Sequence, residues 1–374
     1  MRIAYILLTN GLEYDDRIRK EMFSMRELLN DVEFKIFGFH GDNHSETGTL
    51  SYGVPYELVS LKNRGGKQDI ISEIRKEYDL YSQINKKIKD YDLLWVCDES
   101  PFFFPLFSNK PIIWDLHELP AAFMGSRIKA MVFHRMERRC KWLIHANQER
   151  LDYLIKLGVI KQSEKNFVLR NYPDLNWIAG GSSKPDSFKK FQQWLGEDEY
   201  IYIQGINNEA RFPRETLSAV MEAKSLKAVV IGNVSDEIKE FIDTKYPDSR
   251  EYIYYAGQMI QSDTAAFMSN CKFSIVFYNI KAPNNRYCEP NRMFQSLGLG
   301  KPVIVGCNEP MRNIVERYGN GVVLSSEGSN IQDITDGIKT MMGNYAKYEE
   351  KAKLNKELFA WESQRSIFKK LFEL

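Results

Sequence analysis

The sequence predicts an α/β protein of two doubly wound, Rossmann-like domains facing a cleft. Three observations predict it. Short apolar runs of strand length alternate with segments of helical periodicity from end to end. The alternation restarts after a polar stretch, Ala179-Gly180-Gly181-Ser182-Ser183-Lys184-Pro185-Asp186-Ser187, which reads as a linker or exposed loop. Runs such as Val303-Ile304-Val305 are apolar on both faces, as strands of a doubly covered parallel sheet must be. At 374 residues the chain has room for two domains of ordinary size.

The first strand is expected near 2–8. Its start, Met1-Arg2-Ile3-Ala4-Tyr5-Ile6-Leu7-Leu8, is apolar but too short for a signal peptide, with no small-residue cleavage site behind it. Ile18, Met22, Met25 and Leu29 recur at helical spacing, so 14–30 is a helix lying on a sheet. Strands near 33–39, 57–61, 92–97, 111–115, 142–146 and 166–169 complete the first half. The second half has strands near 199–203, 226–231, 251–256, 273–277, 302–305 and 321–324, each followed by a helical pattern. In the final stretch Leu354, Leu358, Trp361, Ile367, Phe368, Leu371 and Phe372 step by three and four and read as one helical pattern. The expected domains are 1–178, 179–345 and a C-terminal helix over 346–374. Ligands of such sheets sit at the carboxyl ends of strands, so the cleft between the halves is the expected site.

Composition excludes several function classes. Net charge is +1, so no global basic field points to nucleic acid. No run of about 18 apolar residues predicts a transmembrane helix. Cys97, Cys140, Cys271, Cys288 and Cys307 lack paired spacing, which indicates a reducing, cytoplasmic setting. No GxGxxG follows a strand and no GxxxxGK[ST] occurs; Gly298-Leu299-Gly300 follows a helix instead. His40 and His44 are four apart but in a Gly/Asp/Asn-rich loop, so no metal site is expected.

Six segments carry candidate chemistry. In 290–305, Asn291, Arg292 and Gln295 stand near a helix start, where unpaired N–H groups and the macrodipole favour an anion. In 203–211, a strand, Gly205 and then Arg211 before a helix make a plausible diphosphate site. In 10–21, Gly11 at a strand-to-helix turn lets backbone approach a ligand, while Asp15 and Asp16 complement the helix dipole. In 114–120, Asp115, His117 and Glu118 gather at a strand's carboxyl end. Residues 127–141 form a basic helix with Met and Phe among the charges, either a surface for anionic lipid or a solvated helix with one buried face. The aromatic run 101–107 reads as buried packing, a membrane aid or an acceptor surface.

The stretch from Pro290 to Val305 resembles the donor-nucleotide segment of family 4 glycosyltransferases, which reads Pro-Asn-Lys, two apolar residues, Glu and then Gly-Lys-Pro-Val-Ile. Asp16-Arg17-Ile18-Arg19-Lys20-Glu21 is similar to that family's D-x-R-V-x-K-E opening, and Asp115-Leu116-His117-Glu118-Leu119 to its D-x-H-E-L. Asn207 and Arg211 fall near its two basic positions after the first strand of the second domain. Gly232 ends "KAVVIG", and Gly257 in "YYAGQM" matches the next glycine, before the nucleotide base. Ala360-Trp361-Glu362-Ser363-Gln364 is similar to a common ending of the family, whose last helix crosses back to the first domain.

The resemblance implies a GT-B fold and retaining, metal-independent, hexosyl-type transfer from a UDP- or GDP-linked sugar, with no further cofactor, to a glycan or lipid-linked acceptor. It implies that His117 contacts the sugar, that Asp115 and Glu118 orient sugar or acceptor, and that Arg211 and Arg292 hold the diphosphate. The chain departs from the family pattern at three positions, the first being Arg292 in place of the usual Lys, which keeps the charge and adds a bidentate fork. Gln295 stands where the second of two family glutamates binds the ribose, and Tyr287 stands at the first, with Glu289 two residues on to take over the sugar hydroxyls. A nucleotide-sugar 2-epimerase of the same architecture, or a non-catalytic GT-B scaffold, are the alternatives.

Overall fold

The computed structural model describes residues 1–8, 11–39, 42–62 and 70–373; Asn10 and His40 lie outside the described residues. The chain forms two units, Met1–Arg170 with Gln364–Leu374, and Asn171–Ser363.

The first unit is built on an eight-stranded sheet. Its strands are β1 (Arg2–Ile6), β2 (Glu33–Phe39), β3 (Glu46–Thr49), β4 (Pro55–Val59), β5 (Leu93–Cys97), β6 (Ile112–Leu116), β7 (Trp142–His145) and β8 (Asn166–Val168). They lie in the order β3-β4-β2-β1-β5-β6-β7-β8, all parallel but for β3 against β4. Every residue of β5 and β6 is buried, as apolar-on-both-faces strands require. Tyr5 stacks on Trp95 at 5.4 Å between ring centroids, and Trp114 on Phe133 at 4.7 Å. Each such buried ring is worth about 1.5–3 kcal/mol in transfer from water. Sequence reading missed β3. Its Glu-Thr-Gly-Thr carries no apolar residue and lies on the sheet edge, so no hydrophobic period marks it.

The second unit has a six-stranded, all-parallel sheet of β9 (Tyr200–Gln204), β10 (Lys227–Ile231), β11 (Ile253–Gly257), β12 (Phe273–Val276), β13 (Val303–Val305) and β14 (Gly321–Val323). The order β11-β10-β9-β12-β13-β14 is that of a dinucleotide-binding Rossmann sheet. Its strand order reverses between β9 and β12, and the crevice at such a switch point is where these sheets take ligands.

Two expectations are corrected. The polar stretch 179–187 is not a linker: it closes the helix Leu175–Ala179, forms a 3-10 turn over Gly180–Ser182 and enters the helix Asp186–Leu195. That helix buries Phe188 and Phe191 against the second sheet, and this packing outweighs the turn-like composition ahead of it. The final stretch is not one helix either. A helix over Tyr345–Asn355 gives way to 3-10 turns over Lys356–Phe359 and Trp361–Gln364 before the last helix, Arg365–Leu371. The break lets Trp361 donate its N–H to Pro173 at 2.8 Å, while the Gln364 amide accepts from the Arg170 N–H and donates to its carbonyl. The last helix belongs to the first unit, where the Trp142 indole donates to the Leu371 carbonyl at 2.9 Å and Arg365 approaches Glu27.

Candidate functional site

In the second unit, the candidate residues gather at the carboxyl ends of β9 to β12. Gly205 follows β9 with φ +68°, a conformation that favours glycine. A Cβ there would meet the Arg211 Nη1 at 2.7 Å and the Arg292 Nη1 at 3.0 Å. Two guanidinium groups therefore close on one glycine. Arg211 comes from the turn after β9 and donates to the Gly205 carbonyl. Arg292 comes from the helix Asn291–Gly298 and donates to the Phe277 carbonyl at 3.2 Å. Both lie 4.9 Å from the ring centroid of Tyr278, which follows β12. The loops are tied together where the Asn279 N–H donates to the Ala210 carbonyl at 2.8 Å.

No carboxylate pairs with either arginine among the described residues. Burial and the neighbouring Arg211 pull the Arg292 guanidinium below its ordinary pKa, against the pull of Tyr278. Arg292 is 7 % exposed and its Nε has no partner. Like charges held together in a half-dry crevice are costly unless an anion completes them. The helix carrying Arg292 starts after Pro290 with no side-chain cap, and of its first N–H groups that of Met293 donates to the Pro290 carbonyl at 2.9 Å. Gln295, one turn further on, is 5 % exposed. An amide at that position offers a donor and an acceptor. Asn291, on the same side, is exposed and accepts from Asn171 at 3.0 Å. Asn207 is exposed in the turn after β9, and Glu289 is half-buried just before the helix. Gly232 and Gly257 end β10 and β11, and the Gly232 N–H donates to the Gly257 carbonyl.

Sequence reading missed Tyr278, whose only sign was an aromatic just past an apolar strand. It also missed Phe212, held in the left-handed region at φ +52° beside Arg211. A bulky residue in that conformation stores strain, a frequent mark of binding loops.

In the first unit, a buried charge network stands at the carboxyl ends of β1, β5 and β6. Asp115, the fourth residue of β6, is fully buried. Arg17, from the helix Asp16–Leu28, grips it with Nε at 3.1 Å and Nη2 at 2.8 Å, and gives Nη1 to the Leu169 carbonyl. The same residue's Nε lies 3.0 Å from Glu21, but its hydrogen points at Asp115, leaving the Glu21 Oε1 without a hydrogen bond. Burial and the Asp115 charge hold the Glu21 carboxyl well above its usual range, so Glu21 keeps its proton. Burial works against the Asp115 charge too, but Arg17 and His117 overcome it and leave that carboxyl far below the usual range.

His117 follows β6. Its Nε2 lies 3.1 Å from Asp115 and its Nδ1 3.6 Å from Asp98. Burial lowers its pKa, yet the two aspartates outweigh burial and the net shift is upward. The ring is 22 % exposed, so it has a face open to a ligand. Asp98, missed in the sequence, takes φ +62° after β5 and accepts the His117 N–H at 3.0 Å. Asp115 has no exposed surface and reaches a ligand only through His117. Glu118 turns away to Arg150. Glu21, Asp115 and His117 bring one ligand atom each within 4.8 Å of one another, but a cation there would have to displace Arg17.

Asp15 caps the Asp16–Leu28 helix by accepting the Ile18 N–H, and Asp16 pairs with Arg19 and Lys20, so both do helix work. Gly11 opens a 3-10 turn at φ −91°, where any residue fits.

Two Rossmann-like units with a last helix returning to the first define the GT-B fold of glycosyltransferases, and this chain has that fold. Sucrose-phosphate synthase from Thermosynechococcus elongatus superposes with a TM-score of 0.72 at 14% identity, covering 100% of this chain and 98% of that one. HepE of Anabaena in complex with UDP-glucose gives 0.70 at 15% identity over 100% of both chains. A UDP-forming α,α-trehalose-phosphate synthase from Burkholderia vietnamiensis gives 0.70 at 12%, covering 100% and 98%. No protein-family description and no curated sequence matches the chain.

Proposed function

We propose that the chain is a retaining glycosyltransferase that moves a hexosyl group from a nucleotide-diphosphate sugar to an acceptor hydroxyl, in surface or secreted polysaccharide or glycoconjugate assembly. The observation that carries this reading is the pair of carboxylate-free arginines, Arg211 and Arg292, closing on Gly205 at the switch point of the second sheet. The leaving nucleoside diphosphate gains charge as the glycosidic bond breaks. Preorganised cations and helix N–H groups aimed at that charge lower the barrier without reorganising. Gln295 would take the ribose diol, with Asn291 and Asn207 at its margins. Gly205, Gly232 and Gly257 keep side chains off the strand ends so that backbone can approach the nucleotide.

In the first unit, His117 would contact the transferred sugar, and Asp115 acts as a positioning residue that fixes the ring and its charge. Glu289 would bind sugar hydroxyls in the second unit. Gly11 would face the donor from the turn after β1. UDP is the first donor nucleotide to try, since the HepE structures hold UDP and UDP-glucose.

Thermal unfolding with UDP, GDP, ADP, CDP and their sugars tests the reading. A nucleotide at a hundred times its dissociation constant stabilises by roughly 2.7 kcal/mol. One nucleotide class should raise the midpoint, and Arg292→Met should abolish the rise. No shift with any of them on folded protein would leave the chain a non-catalytic scaffold.

A further inference from the structure

The helix Arg127–Arg139 buries Phe133, Met136 and Glu137. Its other side is not an ordinary solvated face. Ile128 is 75% exposed, Met131 71% and Val132 38%. Ile128, Met131, Arg135 and Arg138 step by three and four residues, so they run as one stripe along the helix. The helix's acid, Glu137, is turned inward and held by the His134 Nδ1 at 2.6 Å. The exposed face therefore carries Arg127, Lys129, Arg135, Arg138 and Arg139 with no acid among them. None of Arg127, Lys129, Arg135 and Arg138 makes a salt bridge among the described residues. A shallow groove of about 1430 Å³ runs alongside, with Leu157 exposed on its far wall. The helix Phe103–Phe107 packs against this one and leaves Phe107 half in solvent, stacked on Phe103 at 5.6 Å.

Apolar side chains this exposed, rimmed by one sign of charge, mark an interaction surface. Its chemistry selects the occupant. A second copy would set like charges face to face. A nucleic acid would use the arginines and leave Ile128, Met131 and Val132 in water. A bilayer uses both, because apolar side chains enter the acyl boundary while arginine heads extend to anionic headgroups. No helix among the described residues is long and apolar enough to cross a membrane, so the contact is a surface one. We infer that the Arg127–Arg139 face docks the first unit on a lipid surface carrying anionic headgroups. This inference is independent of the donor site and of any activity.

Sedimentation with phosphatidylcholine vesicles, with and without phosphatidylglycerol, tests it. The protein should pellet with the anionic vesicles and stay in solution with the neutral ones. Partitioning should fall by about tenfold or more in Ile128→Ser/Met131→Ser, which keeps every charge, and in Arg135→Glu/Arg138→Glu. All four positions are solvent-facing, so both variants should keep the wild-type melting temperature and nucleotide response, which separates this test from that of the donor site. Equal pelleting with both vesicle types overturns the inference. So does full binding by the apolar double variant, since a charge-only surface would serve any polyanion.

Discussion

The two units treat buried arginine in opposite ways. Arg17 lies 5% exposed with both Asp115 oxygens, Glu21 and a backbone carbonyl around it. Arg292 is nearly as buried at 7%, yet faces another arginine, a tyrosine ring and one carbonyl. A charge matched inside the fold is structural, and its binding energy is already used. A charge left unmatched in the same degree of dryness is held by its surroundings for something that arrives later. The first unit therefore holds its cation against its own carboxylate, while the second sets two guanidinium groups side by side with no carboxylate among the described residues.

The sharpest way to break this comparison is to remove each arginine. Arg17→Met leaves Asp115 charged and unpaired in the core and should cost about 3–5 kcal/mol of stability, read as a fall in the denaturation midpoint. Arg292→Met removes a cation that repels Arg211, so stability should hold or rise slightly while nucleotide affinity is lost. Equal destabilisation by the two variants would abolish the distinction. Gly205→Ala should come next in size. The strained φ costs about 1–2 kcal/mol, and the new Cβ pushes into the Arg211 Nη1. Because that atom ends a flexible side chain, the arginine moves, and nucleotide binding should weaken by more than stability does.

A pH titration sharpens the first-unit side. The folded pKa of His117 is raised above its ordinary value, so the protonated ring is favoured in the native state. Its contribution is full below about pH 6.5 and is lost as pH rises through the higher folded value. Glu21, which holds its proton in the core, pushes stability the same way, downward with rising pH. His117→Gln should therefore flatten the fall in stability as pH rises above about 6.5 without removing it. An unchanged slope would mean that the ring does not carry the Asp115 interaction.

Much of the architecture was legible because strands buried on both faces announce themselves as apolar runs, as in Leu93–Cys97 and Val303–Val305. That Gly205 and Arg211 lie together was readable because a strand end, a glycine and a cation fall within a few residues, and the structure adds Arg292 beside them. Tyr278 and Asp98 were not. Each sits alone at the end of its own strand and meets its partners only through the parallel packing of β9 on β12 or β5 on β6. The last helix failed as a continuous element for a related reason. Its periodicity persists through 354–372, but Trp361 and Gln364 are bonded to backbone near 170–173, and no local pattern encodes that demand.

The smallest expected effect concerns Gln295, where the chain departs from the glutamate of the family it resembles. Its amide is buried one helical turn from Arg292, so a ribose diol would find one donor and one acceptor there. Gln295→Glu supplies a charge-assisted acceptor, which strengthens such bonds, and it also sets a carboxylate beside Arg292. The two consequences oppose each other. Tighter hold on the ribose should be partly offset by neutralisation of the cation that the proposed function assigns to the diphosphate. The expected result is nucleoside affinity raised by several-fold, with nucleoside-diphosphate affinity raised less. Calorimetric titration with the nucleoside and its diphosphate reads both. If the diphosphate falls while the nucleoside is unmoved, Gln295 contacts no ribose, and its role is to leave Arg292 unpaired.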